Sequence, residues 1–276
     1  MARIGLISDL HVDHHPEVVS LIATAARMRS LDLLIIAGDV TPKLATLAAS
    51  LRELRAAVPR LAWVPGNHDL WCTEPGPDSR ERYLDAFAGL VDGVEYLPAG
   101  PIRVGEVTVV GQTGWYDHSL ADPSLGVPDE AYREGKYGLL SWNDRRFVRW
   151  PGMDDRERTA WMIERLAADL ARVPDGATTL VVTHMLPFAE MVVRRPLPWG
   201  FVGGFLGAAG LGDVIRSARP RLRIERAWAG HTHFRVSVEV DGLACETSPV
   251  GYPREVTRQN PDLTTHVAER LRVVEA

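Results

Sequence analysis

The chain has 276 residues, of which 46% are hydrophobic and 24% charged, with a formal net charge of −5. This is the composition of an ordinary globular protein, and its acidic balance argues against a wide basic groove for nucleic acid. The two cysteines, Cys72 and Cys245, lie far apart with no CxxC pattern, which counts against both a disulfide framework and a thiolate zinc site.

The first third alternates strand and helix. Residues 3–8 form a short apolar run broken by Asp9, too short for a signal peptide, and are predicted as a buried strand. Helical spacing follows over 16–29. Residues 33–37, Leu-Leu-Ile-Ile-Ala, read as a strand buried on both faces. A leucine-rich helix is predicted over 44–58, stopped by Pro59, and a third strand over 61–64, ended by Pro65-Gly66. This βαβαβ order predicts a parallel sheet with right-handed crossovers.

Further along, a helix is expected over 79–91, with Ser79 as its cap and no capping box because Arg82 stands at the third position after it. Hairpin strands are expected at 102–104 and 107–110. Residues 115–153 are aromatic, charged and interrupted by Pro and Gly, which reads as a lid or substrate loop inserted in one domain spanning 1–276. An amphipathic helix is predicted at 154–172, a buried strand at 178–183 and a short helix at 211–218. Strands close the chain at 226–229, 234–240 and 243–247, with Asp241-Gly242 as a hairpin turn. No apolar stretch reaches the ~20 residues that span a bilayer, and the chain is read as cytoplasmic.

Metal-favouring side chains stand at the ends of the strand-like runs: Asp9-Leu10-His11, Gly38-Asp39, Gly66-Asn67-His68-Asp69, Thr183-His184 and Gly230-His231-Thr232-His233. In open α/β sheets the ligand crevice lies beyond the carboxyl ends of the strands. Strand alternation would let Asp9 and His11 face one metal, and His231 and His233 repeat the device. Asp39 is the natural bridge because a carboxylate offers two oxygens. A lone Gly-Asp is usually a turn, and a lone strand-end histidine is more often structural; the combination points to a two-metal hydrolytic centre. Nitrogen and oxygen donors without sulfur suit Mn, Fe, Co, Ni or Zn.

These motifs, in this order and over most of the chain, resemble those of the calcineurin-like metallophosphoesterases. The stretch Ser248-Pro249-Val250-Gly251-Tyr252-Pro253 also looks like the one that follows the last motif in many bacterial members. The resemblance implies an α/β fold of four layers, two mixed β-sheets between helices, with a dinuclear site at the strand ends. It implies Asp9, His11, Asp39 and His233 on one metal, and Asp39, Asn67, His184 and His231 on the other. His68 would face the substrate, as proton donor or charge stabiliser. The expected reaction is hydrolysis of a phosphate ester by a metal-bridging hydroxide, on a small-molecule phosphodiester or phosphomonoester. The chain departs from protein serine/threonine phosphatases, which carry an acidic residue and then an arginine where this chain has Pro42 and Lys43.

Around the centre, Trp115, Tyr116 and His118 are predicted substrate contacts from their place just past a strand. Trp71, Trp142 and Trp199 could add to an aromatic wall, and Arg194 with Arg195 could hold a second phosphate. His14, His15 and His266 are expected at the surface. Two rival readings stand beside the small-molecule esterase: a nuclease of the same fold, and a non-catalytic module that kept it.

Overall fold

The computed structural model describes residues 1–260 and 262–275. The chain opens with β1 (Arg3–Ile7), α1 (Val18–Met28), β2 (Leu33–Ala37), α2 (Leu44–Arg55) and β3 (Leu61–Val64), the predicted βαβαβ order. Strands β1, β2 and β3 pair in parallel, as that order requires.

Between β3 and the next strand the sequence expectation fails in part. Only Ser79–Glu81 (α3) is α-helical, and the chain then widens into a π turn over Arg82–Ala86. Its cap is Asp78 rather than Ser79: the Asp78 side chain accepts from Glu81 N while Glu81 accepts from Asp78 N, a capping box where none was expected, because the cap lies one residue upstream. The wider turn buries Arg82, whose Nη1 donates to the carbonyls of Pro42 at 2.8 Å and Asp69 at 3.1 Å.

Next come β4 (Val94–Tyr96), β5 (Ile102–Val104) and β6 (Val107–Gln112). The 115–153 stretch holds α4 (Asp129–Glu134), β7 (Lys136–Tyr137), β8 (Leu140–Ser141) and α5 (Asp144–Phe147). The remainder is α6 (Asp155–Ala171), β9 (Thr178–Thr183), α7 (Ala209–Ala218), β10 (Arg223–Ala229), β11 (Ser237–Val240), β12 (Leu243–Thr247), α8 (Pro253–Gln259), α9 (Leu263–Arg270) and β13 (Arg272–Glu275).

Two mixed sheets result. One is five-stranded in the order β13-β1-β2-β3-β4, the other six-stranded in the order β11-β12-β10-β9-β6-β5. Strand alternation explains the layering. Leu33, Ile35 and Ala37 of β2 join Ile4, Leu6, Val107, Val109, Leu180 and Val182 in the apolar layer between the sheets. Leu34 and Ile36 point the other way, into the cluster that includes Val18 and Ile22 of α1 and Leu47 and Leu51 of α2. Helix α1 packs between α2 and α9, and α6 packs on α7. The result is the expected four layers.

The last helices and strand carry no expectation from sequence. Helix α9 covers α1, and β13 closes the edge of the first sheet beside β1. This addition buries His266, contrary to its expected exposure, with Nε2 2.9 Å from Val250 O. His15 is likewise buried, with Nε2 2.8 Å from Gly251 O, whereas His14 is exposed.

Candidate metal centre and cleft

Asp9 follows β1, Asp39 follows β2, Asn67 follows β3, His184 follows β9, and His231 with His233 follow β10. The parallel strands of both sheets thus deliver their carboxyl ends to one place. Asp9, His11, Asp39 and His233 form one cluster of donors, and Asp39, His184 and His231 form another that shares Asp39. Asn67 joins the second, with Oδ1 3.0 Å from His184 Nε2.

Strand alternation is not how they get there. Asp9, His11, Asp39, His231 and His233 all have left-handed backbones, with φ of 54°, 44°, 58°, 70° and 54°. Such conformations cost roughly 1–3 kcal/mol each and persist only where the surroundings impose them. His231 and His233 accordingly face different clusters rather than the same side.

One carboxylate holds two of the turns together. Asp69 accepts N–H groups from Asp39, Val40 and Thr41, each at 2.9 Å, and from Gly66 at 2.8 Å, tying the turn after β2 to the turn after β3. Burial first, then the nearby Asp39 charge, push Asp69 up to about 7. The turns touch closely: a side-chain carbon at Gly66 would overlap Asp39 Oδ1, and one at Gly38, with φ of 86°, would meet the backbone of Gly66.

Three of the imidazoles are oriented by the far nitrogen. His184 Nδ1 donates to Ala37 O at 2.8 Å, leaving Nε2 toward Asp39 Oδ1 at 3.4 Å. His231 Nε2 donates to Phe205 O at 3.1 Å, which leaves Nδ1 as its free donor. His233 Nδ1 donates to Glu255 Oε2 at 2.8 Å, and its Nε2 lies 2.9 Å from His11 Nε2. Such outer partners fix the tautomer of a ligating histidine.

The electrostatics follow from burial and crowding. Burial would raise Asp39, but His184 and His68 outweigh it and hold the carboxyl well below its usual range. Burial would lower His184, but Asp39 dominates and raises it to about 9. Burial and then His184 drive His231 down to about 3, and burial takes His68 down to about 4.

Asp39 Oδ2 is buried and has no hydrogen-bond partner among the described residues; His11 Nε2 and His68 Nε2 approach it only to 4.0 Å. A buried carboxylate oxygen without a partner is costly unless a cation faces it. With nitrogen donors on both sides, the residues fit a pair of metal ions sharing Asp39.

A cleft of about 370 Å³ opens over this floor, and Asp39, Asn67, His68, His231 and His233 all contribute to it. His68 stacks on Trp71 at 3.7 Å between centroids, and its Nε2 lies 3.4 Å from the Tyr252 hydroxyl. Trp71, Trp142 and Trp199 line the walls, as do Arg194 and Arg195. Trp115, Tyr116 and His118 do not. They are buried in an aromatic core beneath the 115–153 stretch, where Trp115 Nε1 donates to Asp155 Oδ1 at 2.9 Å and His118 Nδ1 pairs with Gly204 O at 3.0 Å. The strand that precedes them ends inside the protein, so position just past it leads into packing rather than into the cleft.

The family model for calcineurin-like phosphoesterases matches residues 2–235. The chain belongs to that family. It is a hydrolase of phosphoester bonds, and the family's dinuclear metal centre matches the paired donor clusters. Among relatives of this phosphoesterase, "[Acyl-carrier-protein] phosphodiesterase PptH" of Mycobacterium tuberculosis (strain ATCC 25618 / H37Rv) is 29% identical over 270 residues, 92% of this chain and 79% of that one. The crystal structure of phosphopantetheinyl hydrolase (PptH) from Mycobacterium tuberculosis superposes with a TM-score of 0.77 and 27% identity, covering 99% of this chain and 95% of that one. The TT1561 protein of Thermus thermophilus shares the fold at a TM-score of 0.55 and 15% identity, over 99% and 98% of the two chains.

The metal-site motifs of the sequence do not by themselves mark Asp69, Glu255 or Tyr252 for these roles. Asp69 lies inside the Gly-Asn-His-Asp motif, and Glu255 stands at the third position of a helix begun by Pro253, so both had a local signal.

Proposed function

We propose that this phosphoesterase cleaves a phosphodiester whose organic arm lies along the cleft, with the phosphorus over Asp39. The observation that carries the reading is Asp39 itself: its carboxylate stands between two donor clusters, with Oδ2 buried and unpaired among the described residues. Asp9, His11, Asp39 and His233 would hold one ion, and Asp39, Asn67, His184 and His231 the other. Mn, Fe, Zn, Co and Ni all suit this donor set, and cellular supply selects among them. A bound pair supplies Lewis acidity toward the phosphoryl oxygens and lowers the pKa of water toward ~7.

The chain's own groups do the rest. His68 is neutral near pH 7 in the free cleft, where burial holds it at about 4. An incoming phosphate anion opposes that burial and favours the imidazolium, so His68 takes up a proton with the substrate and directs it at the leaving oxygen. Stacking on Trp71 and the Tyr252 hydroxyl fix its ring.

The name of the mycobacterial relative points to a phosphodiester carried on a protein rather than free in solution. Two features support this reading. The cleft wall is rich in aromatic rings, suited to an extended organic arm, and its mouth exposes Val193, Trp199 and Phe234 beside Arg194 and Arg195. We read 1–276 as one catalytic domain with 115–153 as its lid. Among the described residues no helix is long and apolar enough to cross a membrane, and we assign the enzyme to the cytoplasm.

The test is metal-reconstituted protein assayed on a carrier protein bearing a phosphopantetheine arm, beside nitrophenyl phosphodiester, nitrophenyl phosphate and single-stranded DNA. Release of the arm is expected, well above turnover of the small esters. Preferential cleavage of DNA would favour the nuclease reading, and no hydrolysis of any ester with Mn or Zn would reject catalysis.

A further inference from the structure

The 115–153 stretch reaches back into the metal centre through one buried side chain. Asp144, 2% exposed at the start of α5, accepts from Asn67 Nδ2 at 2.9 Å and Trp71 Nε1 at 2.6 Å through Oδ1, and from Trp142 Nε1 at 3.0 Å through Oδ2. Three donors from the metal turn, the wall beside His68 and the lid itself thus meet on a single carboxylate.

Asn67 is the member of the donor set whose usefulness depends on its rotation. With Nδ2 tied to Asp144, Oδ1 faces His184 Nε2 and the shared cluster. Turned over, the amide would aim N–H bonds at a cation, which repels them. Nothing local to the Gly-Asn-His motif chooses between the two; the partner comes from 77 residues away.

Asp144 is held in place by backbone pairing rather than by chance contact. Cys72 N donates to Phe147 O at 2.8 Å, Trp71 and Val148 form an antiparallel bridge, and Ser79 exchanges two bonds with Arg149, N to O at 2.9 Å and Arg149 N to Ser79 Oγ at 2.8 Å. Phe147 continues the ring stack of His68 and Trp71, 4.8 Å from the latter. The segment that walls the cleft is therefore strapped to the turn that follows the metal motif.

We infer that Asp144 is a positioning residue that turns the Asn67 amide toward the shared metal cluster, so that lid order and affinity for one of the two ions rise and fall together. This rests on the dinuclear reading above. Linkage makes the coupling reciprocal: if an ordered lid tightens the ion, the ion must order the lid.

The experiment compares wild type, D144A, D144L, D144N, N67A and the N67A/D144A double variant, full length, in titrations of metal-free protein with Mn²⁺ or Zn²⁺. Wild type is expected to take two ions. D144A is expected to weaken one of them about 10- to 100-fold and leave the other unchanged, the usual cost of losing an outer partner. The double variant should bind no worse than N67A, because Asp144 acts through that amide. Hydrogen exchange gives a readout independent of activity: metal should protect amides of residues 144–149 in wild type and fail to do so in D144A. Two wild-type ions in D144A, or fully additive effects of the two substitutions, would overturn the inference. If D144A does not fold, D144L decides, since it keeps the volume without an acceptor oxygen, and unchanged affinity for both ions in it would equally overturn the inference; D144N, which keeps one acceptor, should fall between wild type and D144L. A wild-type protein that binds fewer than two ions would instead reject the dinuclear reading.

Discussion

Glu255 and His233 form a 2.8 Å hydrogen-bonded ion pair at the rim of the metal centre, joining the turn after β10 to the first turn of α8. Glu255 also accepts from Tyr252 N at 2.8 Å, so one carboxylate both caps α8 and orients the imidazole. Although burial opposes charge on both, the pairing holds Glu255 below and His233 above their usual values. Replacing Glu255 by Ala is expected to weaken the ion at the Asp9 and His11 cluster about 10- to 100-fold, and Gln, which still accepts the bond, should fall between. Metal titration followed by elemental analysis checks this, and equal affinity in all three proteins would remove Glu255 from the centre.

Metal uptake should depend on pH through His184. In the metal-free protein its folded value is about 9, against 6.5 for the free side chain. The proton must leave before Nε2 can bind a cation, so apparent affinity for that ion should fall about tenfold per pH unit below the folded value. The stability sign is the reverse. A raised folded pKa means the native state binds the proton more tightly, so this contribution is complete below 6.5 and lost as pH rises through about 9. The melting temperature of metal-free protein is therefore expected to drop across that window, whereas loaded protein should not follow it. Calorimetric proton release in two buffers of different ionisation enthalpy measures the first effect directly.

His68 stands above the donor clusters without belonging to either. His68→Asn should leave metal content at wild-type level and lower kcat by about 10²- to 10⁴-fold, the usual worth of a proton-transferring group. A variant that instead loses metal would show that His68 supports the centre rather than the chemistry.

Ile35 is fully buried in the layer between the sheets. Ile35→Ala should cost about 2–5 kcal/mol, read from denaturant unfolding of the metal-free protein, because the two sheets cannot both relax into the space left behind. A loss well under that range would mean the sheets close up freely.

The order of residue types along the chain determined a good deal. Solid apolar runs such as Leu33–Ala37 can be buried only as inner strands, and a strand that ends in Asp, Asn or His delivers that side chain to the sheet edge. The parallel sheet and the convergence of Asp9, Asp39, Asn67 and His184 were legible for that reason, whereas the four layers followed only from the resemblance of the motifs to the calcineurin-like family. Strand alternation groups Asp9 with His11 and His231 with His233; left-handed turns, invisible in a period of two, place them instead, keeping the first pair in one cluster and parting the second.

What tertiary structure alone decided are the relationships that no local pattern carries. Asp144 turns Asn67 across 77 residues, and His15 and His266, expected at the surface, are buried against Gly251 O and Val250 O. Trp115, Tyr116 and His118 looked like cleft residues until packing enclosed them, while Arg194 and Arg195 emerged at its mouth. Periodicity records which face of an element avoids water. Which buried face meets which, and so which distant partner fixes a ligand's rotation, depends on how the layers close on one another, and that is settled only when the whole chain has packed.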